Sequence, residues 1–233
     1  MHKPLSICLT SLLILSLAGC NQQKVRPYQV KSMIKSDIDM VTDAHMEEMS
    51  KLAKKLLVKL YKLNPKELTK APAGMSVDKR IKQLFTAPYT VRFAELGDYY
   101  GIKAVPLAFN EDFKGDRVFA FMVGVTGMIH ASYNFQTEFF MLDEIDQQKV
   151  YNCARNLERV AWRLNHQKDT DGNLYILSNN IDEESGDLNL SFERLFGKMI
   201  ATQDMMARIA SDKNNRAVNQ VLHGVASTTL LPI

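Results

Sequence analysis

Residues 117–138 read "RVFAFMVGVTGMIHASYNFQTE". Between Arg117 and Glu138 there is no Asp, Glu, Lys or Arg. Such a run admits three readings: a membrane span, the buried centre of a folded domain, or the wall of a site around His130. At about 100° per residue it resolves into three faces. Ala120, Gly124, Gly127 and Ala131 make a narrow small-residue face, which lets a neighbouring backbone come close. Phe121, Val125, Met128, Ile129, Phe135 and Phe139 make a bulky face. Thr126, His130, Tyr133 and Thr137 make a polar stripe, with Asn134 beside it. The apolar length is near the minimum for a span. Two interior glycines also cost about 1 kcal/mol each relative to Ala. A buried central helix over 115–142 is the reading that explains both glycines and stripe.

The flanking sequence supports a helical body. "SDIDMVTDAHMEEMSKLAKKLLVKLYKLNP" (36–65) carries apolar residues at helical spacing through Ile38, Val41, Met49, Leu52, Leu56, Leu60 and Leu63. Ser36 or Asp37 caps its start and Asn64-Pro65 ends it. After the central run, residues 143–166 show a stripe of Val150, Cys153, Ala154, Leu157, Val160, Ala161 and Leu164. A short break between two such helices predicts an antiparallel pair. A third helix runs from Ser191 to about residue 210, and residues 214–227 read as a short closing helix. "SVDKRIKQLF" (76–85) is a short helix capped by Ser76, whereas 86–110 is irregular, with a strand at 89–93. Turn signals at Asp171-Gly172 and Ser185-Gly186-Asp187 precede "NLYILS" (173–178) and "DLNLSF" (187–192), the two arms of a short β-hairpin around 173–192. The expected fold is a mainly α, compact multi-helix bundle carrying that hairpin.

The chain begins "MHKPLSICLTSLLILSLAGC". A positive start, an apolar stretch from Ile7 to Leu17 and small residues before Cys20 have the layout of an export signal. Leu17-Ala18-Gly19-Cys20 resembles the lipobox of bacterial lipoproteins, a resemblance confined to this leader. It implies lipid on the Cys20 sulfur, cleavage before Cys20 and acylation of the new amino group. Asn21, where Asp favours inner-membrane retention, implies the outer membrane, facing the periplasm. The organisation is therefore a signal peptide at 1–19, a lipid anchor and tether at 20–36, and one helical domain at 37–233. Of the three cysteines, Cys8 leaves with the leader and Cys20 is modified. Cys153 alone remains, so no internal disulfide holds the mature fold. The formal net charge of +3 is far below the basicity of a nucleic-acid binder.

The residues name no catalytic group, cofactor or metal. H-E-x-x-H, C-x-x-C and G-x-S-x-G are all missing from the sequence. Asp169 to Asn173 lacks the spacing and terminal Glu of a calcium loop. Thr126, His130, Tyr133 and Asn134 form a candidate ligand pocket, whose bland counterpart is a satisfied core network. Lys51, Lys55 and Lys59 give the first long helix a basic face, suited to anionic headgroups or simply solvated. Arg155, Arg159 and Arg163 form a second basic ridge, suited to gripping carboxylate or phosphate bidentately or simply solvated. The function expected is a non-enzymatic accessory or interaction protein of the cell envelope, with the membrane and an envelope protein as partners. Two alternatives stay open: a small-molecule or lipid-binding module with a cavity beside the central helix, and an enzyme using His130.

Overall fold

The computed structural model describes residues 35–179, 190–214 and 230–233. Cys20, the tether to Ile34 and most of the closing helix lie outside them. In chain order the helices are α1 (Asp37–Leu63), α2 (Pro65–Leu68), α3 (Val77–Phe85), α4 (Ala104–Ala108), α5 (Arg117–Ser132), α6 (Gln147–His166) and α7 (Ser191–Asn214). The fold is a mainly α, compact helical bundle.

Helix α1 starts at a capping box. Ser36 Oγ accepts from the Asp39 N–H, and the Ser36 N–H donates to Asp39 Oδ2 at 2.7 Å. Its core stripe holds from Met49 onward through Leu52, Leu56 and Leu60, all buried. The first turns depart from expectation: Val41 is exposed, and Asp39 and Thr42 are buried instead. Asn64 ends the helix and fastens a distant segment to it. Its carboxamide donates to Leu177 O and accepts from the Leu177 N–H, both at 2.8 Å.

Helix α5 is the centre of the bundle. Every residue from Arg117 to Ile129 is buried, and α1, α3, α4 and α6 all pack against it. Gly124 and Gly127 carry out the role their spacing implies. A Cβ on Gly124 would lie 2.2 Å from Val105 Cγ2, and one on Gly127 would lie 2.6 Å from Gly101 Cα. The narrow face thus receives α4 and the 3₁₀ turn Gly101–Lys103. No helix among the described residues is long and apolar enough to cross a membrane.

Three expectations are corrected. Helix α5 stops at Ser132 rather than Leu142, because Asn134 and Phe135 turn the chain with left-handed φ values of 54° and 58°. The connection to α6 is therefore long, and α6 packs most extensively on α7 rather than on α5. Between 89 and 93 the chain is irregular, with no strand; Val91 O accepts from the Gly101 N–H instead. The first arm of the hairpin reduces to one bridge, Lys168 with Leu174. The first half of its second arm, 187–189, falls outside the described residues, and Ser191 and Phe192 already belong to α7.

The start of α5 is tied down by buried charge. Asp116 caps it, accepting from the Phe119 N–H at 2.9 Å, and its other oxygen accepts from Tyr61 Oη at 2.6 Å and Arg80 Nη2 at 3.1 Å. Arg80 also grips Glu95 with two bonds of 2.6 and 2.7 Å and lies 3.5 Å over the Phe119 ring. Burial pushes the Asp116 carboxyl above its ordinary range, against the pull of Tyr61, the Phe119 N–H and Arg80. Carboxylates at a helix N-terminus also oppose the exposed dipole, and Glu67 adds a second by accepting from the Arg117 N–H at 2.8 Å.

Candidate functional site

The stripe through His130 does not act as one unit. Thr126 Oγ1 donates to Met122 O at 2.8 Å within its own helix. His130 stacks on Tyr89, ring centroids 3.7 Å apart and planes 15° from parallel. Tyr133 Oη donates to Gln203 Oε1 of α7 at 3.0 Å. Gln203 in turn meets Ser132 Oγ and Cys153 Sγ, each at 3.4 Å. This buried amide joins α5, α6 and α7. Burial pushes the Cys153 thiol up to about 12, which keeps it an inert thiol. Asn134 is exposed and accepts from Lys149 Nζ.

Thr126, His130 and Tyr133 do border one cavity, together with Phe85, Tyr89 and Gln136. Its volume is about 20 Å³, enough for a single water. No sequence signal places Tyr89 there, because it sits in an irregular segment with no period. No carboxylate lines the cavity among the described residues; Glu138 is drawn away into an ion pair with Lys35 at 3.0 Å.

Burial lowers the His130 imidazole from 6.5 to about 4. The folded state then binds fewer protons than the unfolded chain between those values. This contribution to stability is complete above pH 6.5 and is lost as pH falls toward 4. His130→Gln is expected to lose less stability than the parent between about pH 7 and about pH 4.5. Urea midpoints at the two pH values check this, and equal losses in both proteins would count against it.

The two basic surfaces fare differently. Arg155 pairs with Asp204 at 2.6 Å and Glu158 at 2.8 Å. Arg159 and Arg163 are buried, and burial lowers both guanidinium pKa values, with neighbouring arginines adding to the effect. Two of the ridge's three arginines are therefore packed into the fold, and the half-buried Arg155 is neutralised by its ion pairs. The lysine face stays outside and gains a second wall. Lys54, Lys55, Val58 and Lys59 of α1 face Ser191, Arg194, Leu195 and Lys198 of α7 across a groove of about 390 Å³. Lys51 lies outside it, paired with Glu47 at 2.9 Å.

Two of the groove's lysines are held in place. Lys54 sits 5.2 Å over the Phe85 ring, and Lys59 sits 4.9 Å over Phe192 while donating to Ser191 Oγ. Lys55, Arg194 and Lys198 are exposed. Among the described residues no carboxylate lines the groove; the acidic run Asp182-Glu183-Glu184, a few positions before Ser191, lies outside them. Val58 and Leu195 give the floor an apolar strip between five cations. Such a surface attracts anionic groups on an apolar scaffold.

The described residues contain no group of three or more His, Cys, Asp or Glu placed to hold a metal. Asp169 closes a turn instead: its carboxylate accepts from the Asp171 and Asn173 N–H groups at 3.0 and 2.8 Å. No protein-family model matches the chain, and no curated protein and no solved structure matches it either.

Proposed function

We propose that this chain is an outer-membrane lipoprotein, acylated at Cys20 and facing the periplasm, whose body is a non-enzymatic interaction protein of the cell envelope. Its partner is a protein with an acidic surface, received in the groove between α1 and α7. One observation carries the reading: the open cationic groove lies on the outside, lined by no described carboxylate, while the interior beside His130 leaves about 20 Å³. Small-molecule pockets run to roughly 300–1,000 Å³, so that cavity offers no room for the ligand of a binding module. The lipobox supplies the address, and the tether leaves the body free to meet a partner.

Capture from detergent-solubilised envelopes tests the proposal. The mature chain is expected to retain an acidic protein at low salt and release it at about 1 M salt, where screening is nearly complete. Lys55→Glu combined with Arg194→Glu and Lys198→Glu is expected to lose at least about tenfold in retention, because like charges across an interface repel. These positions are exposed, so thermal stability should hold. Undiminished retention by the triple variant would remove the groove from the interface. Cys20→Ser is expected to leave the chain unprocessed or soluble; unchanged processing and membrane partitioning would remove the anchor.

A further inference from the structure

The connection between α5 and α6 ends in a tight turn, Phe140–Asp143, whose geometry is firmly held although its centre is apolar. The Asp143 N–H donates to Phe140 O at 2.8 Å. The Asp143 carboxylate accepts from the Phe140 N–H at 2.8 Å and from Gln136 Nε2 at 3.2 Å. The two central residues are Met141, 61% exposed, and Leu142, 95% exposed. Turn centres normally carry Gly, Asn, Asp, Ser or Pro. Here two large apolar side chains are held out in water by a rigid base. Phe139 on one side and Ile145 on the other are buried, and the Phe139 N–H donates to Asp43 Oδ1 of α1 at 2.9 Å. Phe135, 45% exposed, adds a third apolar side chain to the same connection.

This tip stands beside the start of the body. Lys35, where the described chain begins, pairs with Asp43 and Glu138 and lies 4.8 Å over the Phe140 ring. The base of the tip therefore touches the residue at which the tether joins the body. Fourteen residues separate Cys20 from Lys35, a reach of at most about 50 Å. We infer that the Met141–Leu142 tip inserts into the apolar layer of the membrane to which the chain is anchored, an inference that rests on the lipoprotein reading above. Two projecting side chains are too few for a specific protein interface, which buries about 1,000 Å² or more. They suit a bilayer, which receives single side chains without a matching surface. The charge of Lys35 is already matched by Asp43 and Glu138, and the exposed neighbours Glu144 and Asp146 are acidic. Insertion is thus apolar in origin and insensitive to salt, unlike docking in the groove.

The mature chain offers a direct probe. With Cys20 acylated and Cys153 buried, Leu142→Cys introduces its one reactive thiol. The thiol is labelled with an environment-sensitive fluorophore, and the full lipidated chain is placed in phosphatidylethanolamine–phosphatidylglycerol vesicles. Emission is expected to shift to the blue and to be quenched by nitroxide lipids, unchanged at about 1 M salt. The same label at exposed Asp171 is the control. A Leu142 label indistinguishable from the Asp171 label would overturn the inference. So would a label that stays in water in vesicles and is shielded only in native envelopes, since a protein would then cover the tip. Intact mass of the envelope form tests Cys20 separately. If no acyl group is found there, the lipoprotein reading fails. The tip is then judged with the Cys20→Ser chain without the apolar leader 1–19, added to preformed vesicles. Met141→Asp with Leu142→Asp should reduce its partitioning at least about tenfold, at an unchanged melting temperature. Equal partitioning would sink the tip as well.

Discussion

Arg80→Ala is expected to lower the unfolding free energy by about 3–5 kcal/mol, the range for removing one partner of a buried ion pair. Arg80 is fully buried, and it holds three elements at once: α3 through its own backbone, the 3₁₀ turn Ala94–Leu96 through Glu95, and the start of α5 through Asp116. Without it, Asp116 keeps the Tyr61 and Phe119 donors but faces the core without a counter-charge. Loss of the stack on Phe119 adds to the cost. Arg80→Lys keeps the charge yet lacks the planar fork, so it should fall between the two. Glu95 is the more accessible partner, its side chain 20% exposed, so Glu95→Ala should cost less than Arg80→Ala. The double variant should cost less than the sum of the singles, because both remove one interaction. Urea unfolding of the four variants beside the parent checks all of this. A loss below about 1 kcal/mol for Arg80→Ala would mean that water reaches the site and rescues Asp116.

The second large effect comes from adding a small side chain where none fits. Gly127→Val is expected to cost about 3 kcal/mol, at the top of the usual range for overpacking. Space there is limited by backbone rather than by a side chain that can swing away: the new Cβ would meet Gly101 Cα at 2.6 Å. Gly101 cannot readily retreat, since its own φ of 49° belongs to a conformation that favours glycine. Gly127→Ala places the same Cβ and should also destabilise, less the roughly 1 kcal/mol that helix propensity returns. Gly197 is the internal control. It is also helical, on α7, but nothing lies within 4 Å of a Cβ placed there. Gly197→Ala should therefore stabilise by up to about 1 kcal/mol. Opposite signs for one substitution at two helical glycines separate packing from propensity. A stabilising Gly127→Ala would show that the 3₁₀ turn shifts freely.

Gly124 and Gly127 are also legible in the sequence alone. Their spacing on one face of 117–132 marks them as packing positions, because helical period is local and shows in one dimension. What packs there is invisible, since Val105 and Gly101 come from a segment with no period. The candidate pocket divides in the same way. Thr126 and His130 share a face by simple geometry, but the stacking partner Tyr89 comes from more than a helix length away in sequence. Asn134 reaches that face only if the helix continues, and the left-handed pair Asn134-Phe135 ends it. Nothing in an apolar, charge-free run announces that stop. The basic rows are the hardest to tell apart, since lysines and arginines at i,i+4 spacing look alike in one dimension. Asp204 neutralises Arg155 and burial takes Arg159 and Arg163 into the fold, while Arg194 and Lys198 turn the lysine face into a groove.

Caps, periods and residue types are therefore enough for the long helices of the body, their polarity and the central place of α5, but not for the short α2 and α4; the leader carries its own resemblance. These are properties of neighbours within a few turns. Which basic row is buried, where α5 stops, how little space remains at His130 and what stands beside Lys35 depend on contacts between residues far apart in the chain. Those contacts arise when the helices pack together, and only the folded body contains them.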